Sequence, residues 1–234
     1  MAKKFTPQKW PTVIALILFV VLEMLGTWQV HRLHWKTELI SHIHDRMAER
    51  PVPLPENVAN PEDWEYRRVT LAGNFLYGHE FLLGPRQLDE KNGYHMIVPF
   101  RRASGGVVMV NRGWISDDLM KQAQRPQGTV QVEGIVQQPR KYRFTPDNNP
   151  AKNEWYWADV KAMAEAANLK DPAPVLVTVA AREEGVYPAG GQVRVDLPND
   201  HRAYAIFWYT MAFVLLAVYF ISQRKEEKLH VRIR

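Results

Sequence analysis

Chemistry in this chain has to be sought among its histidines, because the other usual sources are missing. Cysteine is absent from all 234 residues, which removes disulfide frameworks, thiolate zinc sites and thiol redox chemistry. The sequence has no nucleophile elbow, no phosphate-cradling glycine loop and no HExxH zinc helix. Of the eight histidines, His31 and His34 stand one helical turn apart, and His42 and His44 are followed by Asp45. Two imidazoles one turn apart can share a metal, but a closed site needs four ligands. A solvated helix near lipid headgroups accounts for them more simply. His201 is different. It sits in "PNDHRAYAIFWY", between Asn199-Asp200 and Arg202, directly before the twenty uncharged residues Ala203 to Ser222. An imidazole at the threshold of an apolar helix is titratable and able to ligate a metal.

The elements that must position this histidine can be read from hydropathy and charge. Twenty helical residues rise about 30 Å, the thickness of a bilayer's hydrocarbon core, so residues 203–222 are expected to span a membrane. A first span is expected over residues 11–30, "PTVIALILFVVLEMLGTWQV", interrupted by Glu23. Its strictly apolar run, Val13 to Leu22, has the length of a signal-peptide core, yet no small-x-small cleavage site follows, so an uncleaved anchor is expected. Trp10, Trp28 and Trp35 suit the aromatic belt at a membrane interface. Glu23 is costly inside a span and needs a partner; a hydrogen bond to Tyr209 or Thr210, level with it on the second span, is expected, with a partner subunit as the alternative.

Residues 31–202 carry 22 basic and 22 acidic side chains, so the net charge of +5 comes from the tails. A nucleic-acid binder concentrates basic charge on its folded part, and nucleic acid is therefore not an expected partner. Short basic termini belong on the cytoplasmic side. The expected plan is a cytoplasmic tail (1–10), a span (11–30), an exported domain (31–202), a second span (203–222) and a cytoplasmic tail (223–234). A bacterial inner membrane, with the domain in the periplasm and lipid as a partner, is the natural setting.

The domain opens with a helical extension over residues 31–50, where Leu33, Leu39, Ile40, Ile43 and Met47 recur at roughly helical spacing. Four prolines in "RPVPLPENVANPEDW" break it. The hydrophobic period then changes to two in "WEYRRVTLAG", "HEFLLGPRQL", "GYHMIVPFRR", "VVMVNRGWIS", "TVQVEGIVQQP", "APVLVTVAAREE" and "QVRVDL", which read as strands. Ser104-Gly105-Gly106 is a hairpin turn between two of them, and short helices are expected over 117–124 and 159–169. "QQPRKYRFTPDNNPAKNEWYW" reads as an ordered loop or a tail-like excursion. Arg86 and Asn111-Arg112-Gly113-Trp114 fall at strand ends or turns, with Trp114 packed in the core. The expected fold is an α+β membrane protein: two transmembrane helices flanking a mainly antiparallel β sheet or small barrel with short helices.

A two-span hairpin sets residues 26–36, "GTWQVHRLHWK", opposite 199–208, "NDHRAYAIFW". Trp28, Arg32 and Trp35 share one helix face, with Gln29 and Lys36 beside it; His201, Tyr204 and Trp208 share another. Gly26 permits close approach of the helices or of a flat ligand. The patch combines an imidazole, aromatic walls and two cations, which are the needs of a haem: an axial nitrogen, apolar walls and positive charge for two propionates. The same residues also serve to anchor helices at an interface.

"LGTWQVHRLHWKTELI" (25–40), "YRRVTLAGNF" (66–75), "LLGPR" (82–86), "GYHMIVPF" (93–100), "VNRGWI" (110–115) and "NDHRAYAIFWY" (199–209) resemble the Surfeit locus family of cytochrome oxidase assembly proteins. The likeness runs from the first span to the second. It implies a non-enzymatic factor that helps haem, haem a in bacterial members, reach the catalytic subunit of a haem–copper terminal oxidase, with a haem-synthesis enzyme as a further partner. The family's histidine at the head of the second span matches His201 as haem-iron ligand; its first-span tryptophan and arginine match Trp28 and Arg32. Tyr204, Trp208 and Lys36 complete the expected site. Arg202-Ala203 stand where Leu-Gln is common, and Glu23 adds a charge to a usually apolar span. A stably bound accessory subunit of an oxidase and, with less support, a membrane-tethered envelope enzyme are the alternatives. A copper chaperone would need cysteine or methionine clusters that the chain lacks.

Overall fold

The computed structural model describes residues 3–193 and 199–226. In chain order its first elements are β1 (Lys3–Phe5), α1 (Lys9–Ala48), β2 (Val52–Pro53), α2 (Pro61–Trp64), β3 (Arg68–Phe75) and β4 (Phe81–Leu88). There follow β5 (Lys91–Arg102), β6 (Val107–Ile115), β7 (Val130–Gln137), α3 (Val160–Ala166), β8 (Pro172–Val179), α4 (His201–Ser222) and β9 (Arg224–Glu226). They form two compact units, residues 1–42 with 196–234 and residues 43–195.

In the second unit, period-two segments become a sheet in the order β2-β3-β7-β8-β6-β5-β4, and an added β3–β5 pairing closes the strands β3, β7, β8, β6 and β5 into a small barrel. Most pairings are antiparallel; β6–β8 and β2–β3 are parallel. Each barrel strand sends alternate side chains inward. Val69, Leu71, Phe100, Val108, Val110, Val132, Val136, Val175 and Val177 fill the interior. The residues between them face outward, and this second apolar layer is covered from outside. Val160, Met163 and Ala164 of α3, with Trp155 and Ala158, pack on Phe81, Leu83, Ile97, Met109 and Leu176. Asp159 caps α3, its carboxylate accepting from the Ala162 N–H at 3.0 Å.

The Ser104-Gly105-Gly106 turn joins β5 to β6, with both glycines at positive φ and the Arg102 N–H donating to the Gly106 carbonyl. Residues 117–122 wind as a 3₁₀ turn rather than an α-helix. Segment 138–158 is an ordered loop, not a tail. Asn148 Oδ1 accepts from the Tyr156 and Trp157 N–H groups, and the Gly84 N–H donates to the Trp155 carbonyl. Asn111-Arg112-Gly113-Trp114 lie within β6. Gly113 is required there because its φ is +128° and a Cβ would stand 2.1 Å from the Ala189 carbonyl oxygen. The strand expected in "QVRVDL" falls largely outside the described residues.

The first unit is a helix pair. α1 is one continuous helix through the expected first span and its extension, and α4 begins at His201 itself. Both are long and apolar enough to cross a membrane. β1 and β9 pair antiparallel, and the Gln223 side-chain carbonyl accepts from the Gln8 N–H.

Candidate functional site

The seam between α1 and α4 follows a spacing of four and three. On α1 the buried or half-buried positions include Ala15, Phe19, Leu22, Gly26, Gln29, Leu33, Lys36 and Ile40, with Glu23, Leu25 and Val30 half-buried beside them; on α4 they include His201, Ala205, Trp208, Ala212, Leu215 and Tyr219. Such a repeat keeps one stripe of each helix facing the other, as in a left-handed coiled coil. Small residues at Ala15, Gly26, Ala205 and Ala212 let the backbones approach. At Gly26 the helices approach closely, and a Cβ there would stand 2.8 Å from Cε1 of the Tyr209 ring.

His201 lies on this seam. Its Nδ1 is 2.6 Å from Oε1 of Gln29, which is only 8% exposed. The Gln29 side-chain oxygen can only accept, so Nδ1 is the donor in this bond and Nε2 is not engaged by it. Next to it, Asn199 Nδ2 donates to Thr37 Oγ1 at 3.3 Å, while Asn199 Oδ1 is buried without a partner. Thr27 Oγ1 and Tyr209 OH form a further bond at 3.2 Å, and Thr12 Oγ1 and Tyr219 OH another at 2.7 Å.

The other expected site residues divide into two groups. Trp208 is half-buried on the seam, and so is Lys36, which has an interaction partner of its own. Trp28 and Tyr204 are off the seam and 56% and 54% exposed. Arg32 is also exposed and lies flat on the Trp35 ring, 4.1 Å from its centroid. Counting heptads from the seam puts Arg32 and Tyr204 at equivalent g positions and Trp28 and Trp35 at c. In an antiparallel pair these share one flank. Thr27, Thr37, Asn199 and Tyr209 occupy the opposite flank. The stripe Trp28-Arg32-Trp35 is thus one residue away from the packed face. All three stripes repeat every three to four residues, so spacing alone does not choose among them; residue size does, because small side chains mark the seam. Gln29, placed by the sequence only beside the Trp28-Arg32-Trp35 stripe, is on the seam and is the hydrogen-bond partner of His201.

Glu23 does not bond to either expected partner among the described residues: Tyr209 OH pairs with Thr27, and Thr210 Oγ1 donates to the Ile206 carbonyl. His31, His34, His42 and His44 are exposed, and no group of three metal-ligating side chains gathers among the described residues. In the barrel, Arg112 stacks on Phe75 and Tyr77, 5.0 and 5.6 Å from their centroids, and donates to the Gln124 carbonyl.

A family model described as the SURF1 family matches residues 16–213, from the first helix to the second. The chain belongs to the SURF1 family. A SURF1-like protein of Monosiga brevicollis is 36% identical over 224 residues, covering 88% of this chain and 85% of that protein. A SURF1-like protein of Caenorhabditis elegans is 34% identical, covering 93% and 76%. Surfeit locus protein 1 of Mus musculus is 33% identical, covering 79% and 66%. The match to the SURF1 family takes in the Gln29–His201 seam and the barrel together.

Proposed function

We propose that this SURF1-family chain is a non-enzymatic assembly factor for a haem–copper terminal oxidase, holding haem at one end of its helix pair and helping it reach the catalytic subunit. The observation that carries this reading is the His201–Gln29 pair. A metal-binding imidazole needs its second nitrogen fixed by an acceptor so that the first points a lone pair at the metal, and Gln29 supplies that acceptor on the neighbouring helix.

The residues present fit a haem. His201 Nε2 would ligate the iron, and Trp28, Tyr204 and Trp208 would flank the macrocycle. Arg32, which has no carboxylate partner among the described residues, would meet a propionate with Lys36 adding positive charge nearby. Haem, when bound, is cargo here and supplies no reaction on this chain. The reading includes a bacterial inner membrane with both basic termini cytoplasmic and the barrel domain periplasmic. It is supported by the neutral central region between basic tails.

The test is pigment. Full-length protein purified from cells that make haem is expected to show a Soret absorbance, and His201→Ala is expected to lose it while the helical circular dichroism is unchanged. Full retention of pigment in His201→Ala would remove His201 as the ligand and the proposal with it.

A further inference from the structure

The barrel domain carries a second surface that the haem reading does not use. A cavity of about 650 Å³ opens between β4, the end of β7 and the 138–158 loop, lined by Arg86, Gln137, Tyr142, Phe144, Tyr156 and Trp157 among others. At its base is a guanidinium without a counter-ion. Arg86 is half-buried, and its two terminal nitrogens donate to the Pro85 and Tyr156 carbonyls at 2.9 and 3.2 Å. Burial holds its pKa below the ordinary arginine value, and no other group contributes. Arg102 and Arg112 are also shifted down by burial, but each feels a glutamate, Glu56 and Glu80 respectively. On the neighbouring loop Arg140 is bridged to Glu65 and Lys141 to Asp147 at the surface, while Arg143 lies over the Phe144 ring in solvent without an ion pair among the described residues. Charged groups taken from water are normally paired. Among the described residues Arg86 is not.

Two features say what kind of group completes it. Gln137, which also lines the cavity, accepts from the Thr178 hydroxyl through Oε1 at 2.6 Å, so its amide N–H₂ is left as a second donor. Above this polar floor stand Tyr142 and Phe144, 74% and 91% exposed. Tyrosine, tryptophan and arginine around a central anchor are the composition of protein-interface hot spots. The loop that holds them is pinned by Asn148 and by the bond to β4, so little ordering entropy is lost on docking.

We propose that this cleft docks an acidic, partly apolar segment of a partner protein, with a carboxylate on Arg86 and Gln137 and apolar side chains against Tyr142 and Phe144. A small-molecule pocket would bury its aromatic walls, and Phe144 stands almost fully in solvent. A flat membrane surface would engage the exposed Arg143, Tyr142 and Phe144 but not Arg86, which is half-buried in the cleft. The surface goes beyond the haem reading and needs neither His201 nor Gln29.

The test uses the full chain in its native cells, with photoreactive benzoylphenylalanine in place of Phe144 and mass spectrometry of the cross-linked peptides. The expected product is one protein segment bearing Asp or Glu within a few residues of the attachment point. Arg86→Gln should lower its yield more than about tenfold, as loss of one partner of a desolvated charge pair does. Arg86→Glu combined with Lys at the mapped acidic position should restore it. Tyr142→Ser, at an exposed site that leaves folding alone, should also lower the yield. No adduct, adducts confined to lipid, a segment without an acidic residue, or a yield unmoved by Arg86→Gln or Tyr142→Ser would overturn the proposal. A pigmented protein that fails this test leaves the haem reading standing.

Discussion

Replacing Gly26 by alanine puts a methyl carbon where the two helices approach closely. Its Cβ would lie 2.8, 2.9 and 3.0 Å from Cε1, Cζ and Cδ1 of Tyr209. Carbon atoms are most comfortable at about 3.5–4.0 Å, so the shortfall is on the order of 1 Å against one edge of the ring. The structure has two ways out. Tyr209 can turn aside, which gives up its bond to Thr27; such a bond between membrane helices is worth about 0.6 kcal/mol on average. Alternatively the helices part, loosening the contacts of Ala205 and the Gln29–His201 pair one turn away. Overpacking of this kind costs about 1–3 kcal/mol. The expected destabilisation of Gly26→Ala is therefore roughly 0.6–3 kcal/mol, set by whichever response is cheaper. Unfolding free energies in detergent for Gly26→Ala, Tyr209→Ala and the double variant form the decisive cycle. With the ring removed the added methyl group has room, so the double variant should be less destabilised than the sum of the singles by about 1–2 kcal/mol. A Gly26→Ala protein within about 0.3 kcal/mol of the parent, or additive effects in the cycle, would show that the seam is not packed as described.

Gln29→Leu keeps the seam filled but frees the imidazole to choose its tautomer and orientation. Haem titration should find affinity reduced about 10- to 100-fold, the usual effect of removing an orienting partner; unchanged affinity would deny Gln29 that role. Tyr77→Phe should stabilise the barrel domain, because Tyr77 OH is buried without a hydrogen-bond partner. Removing an unsatisfied hydroxyl is worth about 1 kcal/mol, or about 2–4 °C in Tm for a domain of this size. The same side chain has a pH signature. Burial raises the Tyr77 pKa above its ordinary 10.0, so the unfolded chain loses this proton first as the pH climbs. The stability tied to it is whole below pH 10 and is lost as the pH rises through the higher folded value. Thermal melts from pH 8 to 11 should show a shallower alkaline decline in Tyr77→Phe, and an identical slope would count against a buried, neutral Tyr77.

The barrel was legible because its strands alternate strongly and its turns use residues with fixed conformational roles. Ser104-Gly105-Gly106 turns the chain at positive φ where only glycine is comfortable. Closure was not legible, since the β3–β5 pairing joins Gly73–Phe75 to Phe100–Arg102 through a non-local contact that no local pattern encodes. The parallel β6–β8 step is hidden for the same reason. At the site, proximity of His201 to the 26–36 segment followed from topology, while its partner did not. Tryptophans drew the reading to the stripe through Trp28 and Trp35, whereas the seam is written in the smaller residues Ala15, Gly26, Ala205 and Ala212. Aromatic side chains mark interfaces with lipid as readily as interfaces with protein, so the larger signal was the less informative one. Asn148 gives a similar lesson: one side chain with three bonds to residues 156 and 157 turns a polar, proline-bearing segment into a fixed loop.

The two flanks of the helix pair differ in a way that bears on release as well as on binding. One flank is stapled: Thr27 bonds to Tyr209 and Thr37 to Asn199, so the helices are held together along that side. The other carries Trp28, Arg32 and Tyr204, all exposed, with no bond across it among the described residues. A haem held from the seam by one imidazole would be covered on the stapled side and reachable on the open one. A protein that keeps its haem encloses it and adds a second axial ligand or a sealed pocket; a protein that lends it needs an unobstructed edge. Free haem is poorly soluble in water, so a receiver facing that edge has to share the same membrane depth. On the haem reading proposed above, the open flank favours lateral transfer to an integral membrane protein, and it predicts that bulky additions at Trp28 or Tyr204 impede delivery more than comparable additions at Thr27.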